Sequence, residues 1–235
     1  SSAASDVYKR QVLGSPVLSK QVFDRLTNSK EKGFQSDKLS LHYDSNIDLE
    51  EAINTICDRA VRTVKKGVVL IVLSDIGLNN NQMTIPAVMA VGAVHHRLIS
   101  EGLRCDCNII VETASTWNSH HFAVLLGYGA SAIYPYLALE IINNMIMRNN
   151  QDEKIYAQHV NNFIKGINKG LLKIMSKMGI SCISSYRGAQ LFEIIGLNSN
   201  VIDLCFRNNV SRIEGASFDD IESDLRINKE YSCLL

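Results

Sequence analysis

Apolar residues along the chain recur with two periods, and the alternation between them sets where strands and helices are expected. Residues 104–140 show both periods in succession. Ile109-Ile110-Val111 is a short continuous apolar run of the kind a strand buried on both faces of a parallel sheet shows. The polar and small apolar residues of 104–107 lead into it, and 112–118 is the loop at its carboxyl end. Ser119 is expected to cap the following helix, because Phe122, Leu125 and Leu126 come next at helical spacing, and Gly127 and Gly129 stop it. Residues 130–134 form the next strand, and Pro135 opens the next helix. Two successive β-α steps imply a parallel sheet covered by helices.

Upstream, a short helix carries Val22, Phe23 and Leu26, and 28–38 is a charged loop. Residues 39–43 alternate as an edge strand does. For 47–66 the pattern is helical: Asp48 is placed to cap it, Glu50 and Glu51 suit its positive end, and Lys65 and Lys66 suit its negative end. Gly67 ends that helix and 68–73 is a β-branched strand. An asparagine-rich loop over 74–84 precedes a helix from Pro86 to about Ser100, whose Ala87, Ala90, Gly92 and Ala93 allow close packing against the sheet. Downstream, the helix after Pro135 runs to Arg148, 149–153 breaks it, and 155–177 is the longest helix, with Gly179 as its stop. Residues 180–184 read as a further strand, 188–195 and 201–206 as short helices, and 218–225 as a last amphipathic helix. The sum is about five strands, four of them parallel, whereas a closed eight-fold barrel takes about 250 residues and eight such units. The expected fold class is therefore α/β: an open, mostly parallel sheet flanked by helices, half-barrel-like and not a closed eight-fold barrel.

Composition narrows the function classes. Hydrophobic residues make up 46% and charged residues 20%, as in ordinary globular proteins, and 24 basic residues balance 24 acidic ones. No whole-chain field draws phosphate backbones or anionic lipid, so neither nucleic acid nor a membrane is an expected partner. No segment approaches the roughly 18 apolar residues of a membrane span, and residues 1–11 lack the apolar core of a signal peptide. Cys57, Cys105, Cys107, Cys182, Cys205 and Cys233 are scattered in a way that does not resemble a disulfide framework, which suits a reduced, cytoplasmic protein. Residues 1–11 are expected to be disordered or not native to the domain, and 226–235 to be a linker or truncation.

Candidate chemistry is sparse. His95-His96 and His120-His121 are adjacent pairs, but adjacent helical residues point about 100° apart and helical zinc ligands sit four apart. One histidine of each pair is expected to be packed or capping and the other wet. Cys105 and Cys107, two apart on the expected strand, face the same way, yet an iron–sulfur cluster needs three or four converging thiolates. The loop SSYRG at 184–188 offers two hydroxyls and Arg187 before an expected helix, a setting that suits an anion. It lacks any glycine-rich phosphate fingerprint, so the stronger reading is an Arg187 paired with a carboxylate across a domain interface. Glu112, at the carboxyl end of its strand, stands where α/β enzymes keep functional groups. With Thr113 and Ser115 it lines a polar passage, touches a neighbouring domain, or bonds only to local backbone.

The run VETASTWNSHHFAVLLGYGASAIYPYLALE closely resembles the central domain of the glutamate synthase large (alpha) subunit, most like the bacterial NADPH-dependent type. GVVLIVLSD at 67–75, INKGLLKIMSKMGIS at 167–181, SYRGAQLFEIIGL at 185–197 and VSRIEGASFDDI at 210–221 continue the resemblance in the same order, so it spans residues 12–225. The resemblance implies an oxidoreductase acting on CH–NH2 donors that converts glutamine, 2-oxoglutarate and NADPH to two glutamates. It further implies FMN and an iron–sulfur cluster in the parent enzyme, with FAD on a small subunit. This piece would be the non-catalytic central domain, joining the glutaminase and FMN-binding domains of the same chain and helping to enclose the ammonia channel.

The family's glutaminase nucleophile is an N-terminal cysteine, whereas this chain begins Ser1-Ser2, and its flavin barrel would begin after residue 225. No catalytic, cofactor-binding or metal-binding residue carries over, and the piece alone is expected to be inactive. Interdomain or channel candidates are Glu112, Thr113, His120, His121 and Arg187. The family commonly reads S-D-R after its apolar strand, whereas here Ile76 follows Ser74-Asp75, which alters any interdomain contact that arginine makes. The rival reading is a stand-alone α/β small-molecule-binding or enzymatic domain built on Glu112, His120 and Arg187. A pocket joining those three would favour it, and an apolar face left open would favour the fragment. A degenerate, pseudogene-like piece is a third reading.

Overall fold

The structure, a computed structural model, describes residues 13–29, 33–79, 81–148, 153–189 and 191–232. A short helix α1 (Lys20–Thr27) precedes β1 (Ser36–Ser40) and β2 (His42–Asp44). Then come α2 (Leu49–Lys65), β3 (Leu70–Ser74), β4 (Gln82–Thr84), α3 (Ala87–Ser100), β5 (Asn108–Glu112), α4 (Ser119–Gly127) and β6 (Ala132–Tyr134). The remainder is helical: α5 (Tyr136–Arg148), α6 (Glu153–Lys177), α7 (Ile183–Tyr186), α8 (Ser199–Cys205) and α9 (Phe218–Ser232).

The expected fold class is observed. Strands β1, β3, β5 and β6 lie side by side in that order, all parallel, in an open sheet. Val17 extends it past β6 by one bridge, with Ile133 N–H donating to Pro16 O and Leu18 N–H to Ile133 O, each at 2.8 Å. Alternation along the strands explains the continuous apolar runs. Leu39, Ile71, Leu73, Ile109, Val111 and Ile133 face α2, α3 and α4, while Leu70, Val72, Ile110, Ala132 and Tyr134 face α1 and residues Leu139 and Val160 of α5 and α6. Both faces of β3, β5 and β6 are covered, so their interior positions are apolar, whereas the edge strand β1 carries exposed Asp37 and Lys38. Phe23 of α1 stacks on Tyr134 with ring centroids 4.3 Å apart.

Helix α2 forms where its caps and stripe require. Asp48 accepts from Glu51 N–H, and the buried Ala52, Ile53, Ile56, Ala60 and Val64 share one face. Glu222 of α9, itself buried, accepts a second first-turn donor, Leu49 N–H, at 2.9 Å, so α2 is capped locally and from a distance.

Several expectations are corrected. The edge strand over 39–43 is two strands, because Leu41 leaves the ladder: its N–H bonds Ser74 O and its carbonyl accepts from Ile85 N–H. That switch starts the small antiparallel pair of β2 and β4, the latter inside the expected loop 74–84. Residues 104–106 form a turn instead of a strand, and Cys105 is exposed while Cys107 is buried, so the two do not share a face. Asn118, not Ser119, caps α4, its Oδ1 accepting from His120 and His121 N–H. Ser119 instead packs on Gly170 of α6, where an added Cβ would lie 2.0 Å from Ser119 Oγ. Gly92 likewise abuts the carbonyl of Cys205 in α8, not the sheet.

Residues 180–184 form no strand. Ile180 N–H closes onto Met175 O and Gly179 N–H onto Ser176 O, a Schellman ending of α6 with Gly179 at φ +70°, so the donor a ladder needs is already used. Residues 188–195 form no helix either. Gly188, at φ +68°, ties its N–H to Gly127 O, and the chain then runs extended with single bridges from Ile194 to Ser211 and from Leu197 to Ala216. Helix α9 continues through 226–232, where a linker is expected. The expectation for 1–11 and most of the break at 149–153 lie outside the described residues.

Candidate functional site

Parallel order brings the carboxyl ends of β1, β3, β5 and β6 to one edge, and four buried polar residues, Ser74, Glu112, Thr113 and Thr116, lie at the ends of β3 and β5 there. Glu112 ends β5 directly opposite Ser74 at the end of β3. Only 3% exposed, its carboxylate takes the Ser74 hydroxyl and the Lys38 ammonium, both at 2.5 Å on the same oxygen. A charge this buried is held by such pairing, since removing one partner would leave the other's desolvation uncompensated. Phe23, Asp24, Thr27, Asp37, Lys38 and Glu112 line a cleft of about 430 Å³ between α1 and this edge of the sheet.

One residue further along, a second network forms around Asp75. Its carboxylate accepts from the Thr113 hydroxyl at 2.5 Å, from Ala114 N–H at 3.1 and 3.2 Å, and from the Tyr136 hydroxyl. Burial pushes the Asp75 carboxyl up, opposed by those donors and by the His42 charge. The Tyr136 hydroxyl is held above its ordinary range by burial and then by Asp75. Ser115 lies 2.9 Å from the Thr113 hydroxyl, so a line of hydroxyls runs from exposed Ser115 through fully buried Thr113 to Asp75. His42 spans Thr84 Oγ1 and Ile76 O at 2.9 and 3.1 Å. Thr116, 1% exposed, has a hydroxyl without a hydrogen-bond partner among the described residues. Chemically, the arrangement offers a wall of oriented hydroxyls and two carboxylates engaged as acceptors.

Glu112 and Thr113 thus share one edge, and the other candidates do not join them. His120 is exposed at the start of α4, edge-on to Phe192 at 6.5 Å, while His121 accepts Trp117 N–H at 3.1 Å through Nδ1. In the other pair, His95 is buried and accepts from Arg104 Nε at 2.8 Å, and His96 is half-buried. The packed-or-capping reading holds for His95 and His121. Arg187 sits at the opposite end of the sheet. It donates at 2.8 Å to Ser131 Oγ, which in turn bonds Asn108 at the start of β5. Asn108 and Glu112 are four residues apart on one strand, about 13 Å. The pocket joining Glu112, His120 and Arg187 that the rival reading requires is therefore not formed. Among the described residues, no group of three or more His, Cys, Asp or Glu is placed to hold a metal ion.

Asp75, Lys38, His42 and Tyr136 belong to the site but are absent from the sequence-derived candidates. Asp75 carried the same signal as Glu112, a carboxylate directly after an apolar strand. Lys38 did not, because β1 begins inside a charged run whose pairing partner is remote in sequence.

A singly wound parallel layer, with its polar groups knitted at the carboxyl edge, defines an α/β domain in which those groups brace the strand ends. The chain belongs to the glutamate synthase central domain family, whose model matches residues 2–198. It is 41% identical over 225 residues to ferredoxin-dependent glutamate synthase 1, chloroplastic/mitochondrial, of Arabidopsis thaliana, covering 89% of this chain and 14% of that protein. It is 38% identical over 216 residues to the NADPH glutamate synthase large chain of Bacillus subtilis (strain 168), covering 92% and 14%. The chain thus spans about 14% of the length of the curated relatives it matches. Among solved structures, the flavin-binding domain of baker's yeast flavocytochrome b2 overlaps it at TM-score 0.45 and 14% identity, over 85% of this chain and 46% of that one. No helix among the described residues is long and apolar enough to cross a membrane.

Proposed function

We propose that this chain serves as the central domain of a glutamate synthase large chain, positioning its neighbours without making or breaking bonds itself. The observation that carries the reading is the match to glutamate synthases over nine-tenths of this chain and only 14% of theirs. The whole polypeptide would hydrolyse glutamine in a glutaminase domain and pass ammonia to an FMN site, where 2-oxoglutarate is aminated and reduced to glutamate. FMN and an iron–sulfur cluster would sit outside these residues, on the parent enzyme, and a small subunit carrying FAD would supply electrons from NADPH, in the cytoplasm. Glu112 and Thr113, with Asp75 and Ser115, would line part of the ammonia path. His120, His121 and Arg187 would meet neighbouring domains. Support for docking at the carboxyl edge comes from Ile76 and Leu78 after β3 and Trp117 after β5, which are 42%, 47% and 59% exposed there.

The test is made on the intact enzyme with Thr113→Val. Glutamine-driven glutamate formation should fall while ammonium-driven formation is retained. Equal loss of both, or of neither, would remove Thr113 from the path. A second reading has ferredoxin as the electron donor, favoured by the 41% identity to the Arabidopsis relative. Glutamine-dependent oxidation of NADPH against that of reduced ferredoxin separates the two.

A further inference from the structure

At the amino end of the sheet, opposite the network of Asp75 and Glu112, cations gather around one neutral histidine. Arg104 spends its fork on uncharged acceptors: Nε on His95 Nδ1, Nη1 on Cys107 O and Nη2 on Gly129 O, each at 2.8 Å. Because His95 Nδ1 accepts, the ring proton of the neutral form lies on Nε2. That nitrogen faces the Arg187–Gly188 backbone, since a Cβ on Gly188 would come within 3.3 Å of it. His95 is therefore enclosed between Arg104 on one edge and the Arg187–Gly188 segment on the other. Arg187 is half-buried and donates through Nη1 to Ser131 Oγ. Arg207 adds a third positive charge beside His96. No ion pair among the described residues includes Arg104, Arg187 or Arg207.

We propose that Arg187, backed by Arg104, receives a carboxylate side chain from another part of the longer polypeptide. A guanidinium fork matches a carboxylate in two parallel hydrogen bonds, and a partly buried cation without an anion is costly. His95 adds no charge of its own: burial, then the charges of Arg104, His96 and Arg187, push its pKa down to about 3, leaving it uncharged. The cavity of about 20 Å³ beside Gly188 and His95 has Arg207, and not Arg187, in its lining, so it is no pocket for a free acid at the Arg187 guanidinium. The strap that follows Arg187 leaves Ile195, Val210 and Ile213 at 72%, 62% and 58% exposure, apolar surface that the same neighbour would cover. This rests on the interdomain, carboxylate-paired reading of Arg187 and adds to it Arg104, set behind Arg187 by the His95 ring enclosed between them.

The deciding experiment is a structure of the intact large chain containing this sequence. The expected result is an Asp or Glu carboxylate oxygen, from outside these residues, within hydrogen-bond distance of an Arg187 guanidinium nitrogen. Exchanging the charges, Arg187→Glu with arginine at the carboxylate position, should then restore the melting temperature that either single change lowers. Water, neutral groups or a free ion as the only company of Arg187 would overturn the inference. If Arg187 is then still buried under a neighbouring domain, its interdomain reading survives; if it faces solvent, that reading falls as well.

Discussion

The contact between α3 and α8 can be measured by comparing two glycine-to-alanine substitutions inside helices, one buried at the contact and one exposed away from it. Gly92 and Gly166 both lie inside helices, so Gly→Ala should raise helix propensity by about 1 kcal/mol at either position. A Cβ on Gly166 meets nothing within 4 Å. A Cβ on Gly92 would lie 2.0 Å from the carbonyl oxygen of Cys205 and 3.2 Å from its carbon, backbone atoms that no rotamer change can remove. One helix must move, and overpacking of that kind costs about 1–3 kcal/mol, here toward the upper end. Gly166→Ala should therefore gain up to about 1 kcal/mol and Gly92→Ala should lose about 2 kcal/mol, a separation of about 3 kcal/mol. For a chain of this size that is roughly 6–12 °C between the two melting temperatures. Urea unfolding of both variants, with unchanged m-values, reads the difference directly. Equal stability of Gly92→Ala and Gly166→Ala would refute the close approach of α8 to α3.

Three further outcomes follow from the same geometry. His95 has an unfolded value near 6.5 and a folded value pushed down to about 3, so the unfolded chain binds the extra proton between those values; stability should be full above about pH 6.5 and fall by up to about 1.4 kcal/mol per pH unit on acidification. Urea midpoints from pH 4 to 7 should lose that part of their slope in His95→Gln. Glu222→Ala strips Leu49 N–H of its buried acceptor and should cost about 1–3 kcal/mol by urea unfolding, whereas Glu222→Gln keeps an acceptor and should cost less. The exposed Cys182 thiol is lowered to about 7 by the Ser184 and Ser185 hydroxyls, whereas burial raises Cys57 to about 12 and pushes Cys205 up as well. At pH 7 iodoacetamide should label Cys182 on the folded chain, and Cys57 and Cys205 only after denaturation, as read by peptide mass.

The core of the fold was legible wherever a local pattern and its tertiary use agree. The apolar runs over 68–73 and 109–111 supply the strands β3, which begins at Leu70, and β5, because both of their faces are covered, and Asp48 caps α2 as its position suggests. The misreadings share one cause, a backbone group committed to a partner that local pattern does not reveal. Ile180 looks like the start of a strand, yet its N–H terminates α6. Leu41 sits inside an alternating run, yet its N–H and carbonyl serve two different strands. Half of the carboxyl-edge site was legible for the same reason: Glu112 and Thr113 follow an obvious strand, whereas Lys38 and Tyr136 reach it from remote segments. Arg187 was legible as a residue of interest, but its neighbours Arg104 and His95 come together only through the turn at 104–106.

The central claim, that this is one domain of a much longer glutamate synthase chain, is tested most directly by the mass of the native polypeptide. An antibody raised against residues 104–140 should detect a band several times heavier than 26.1 kDa, as expected if the matched region is about 14% of the whole. A native band at 26.1 kDa would contradict the account.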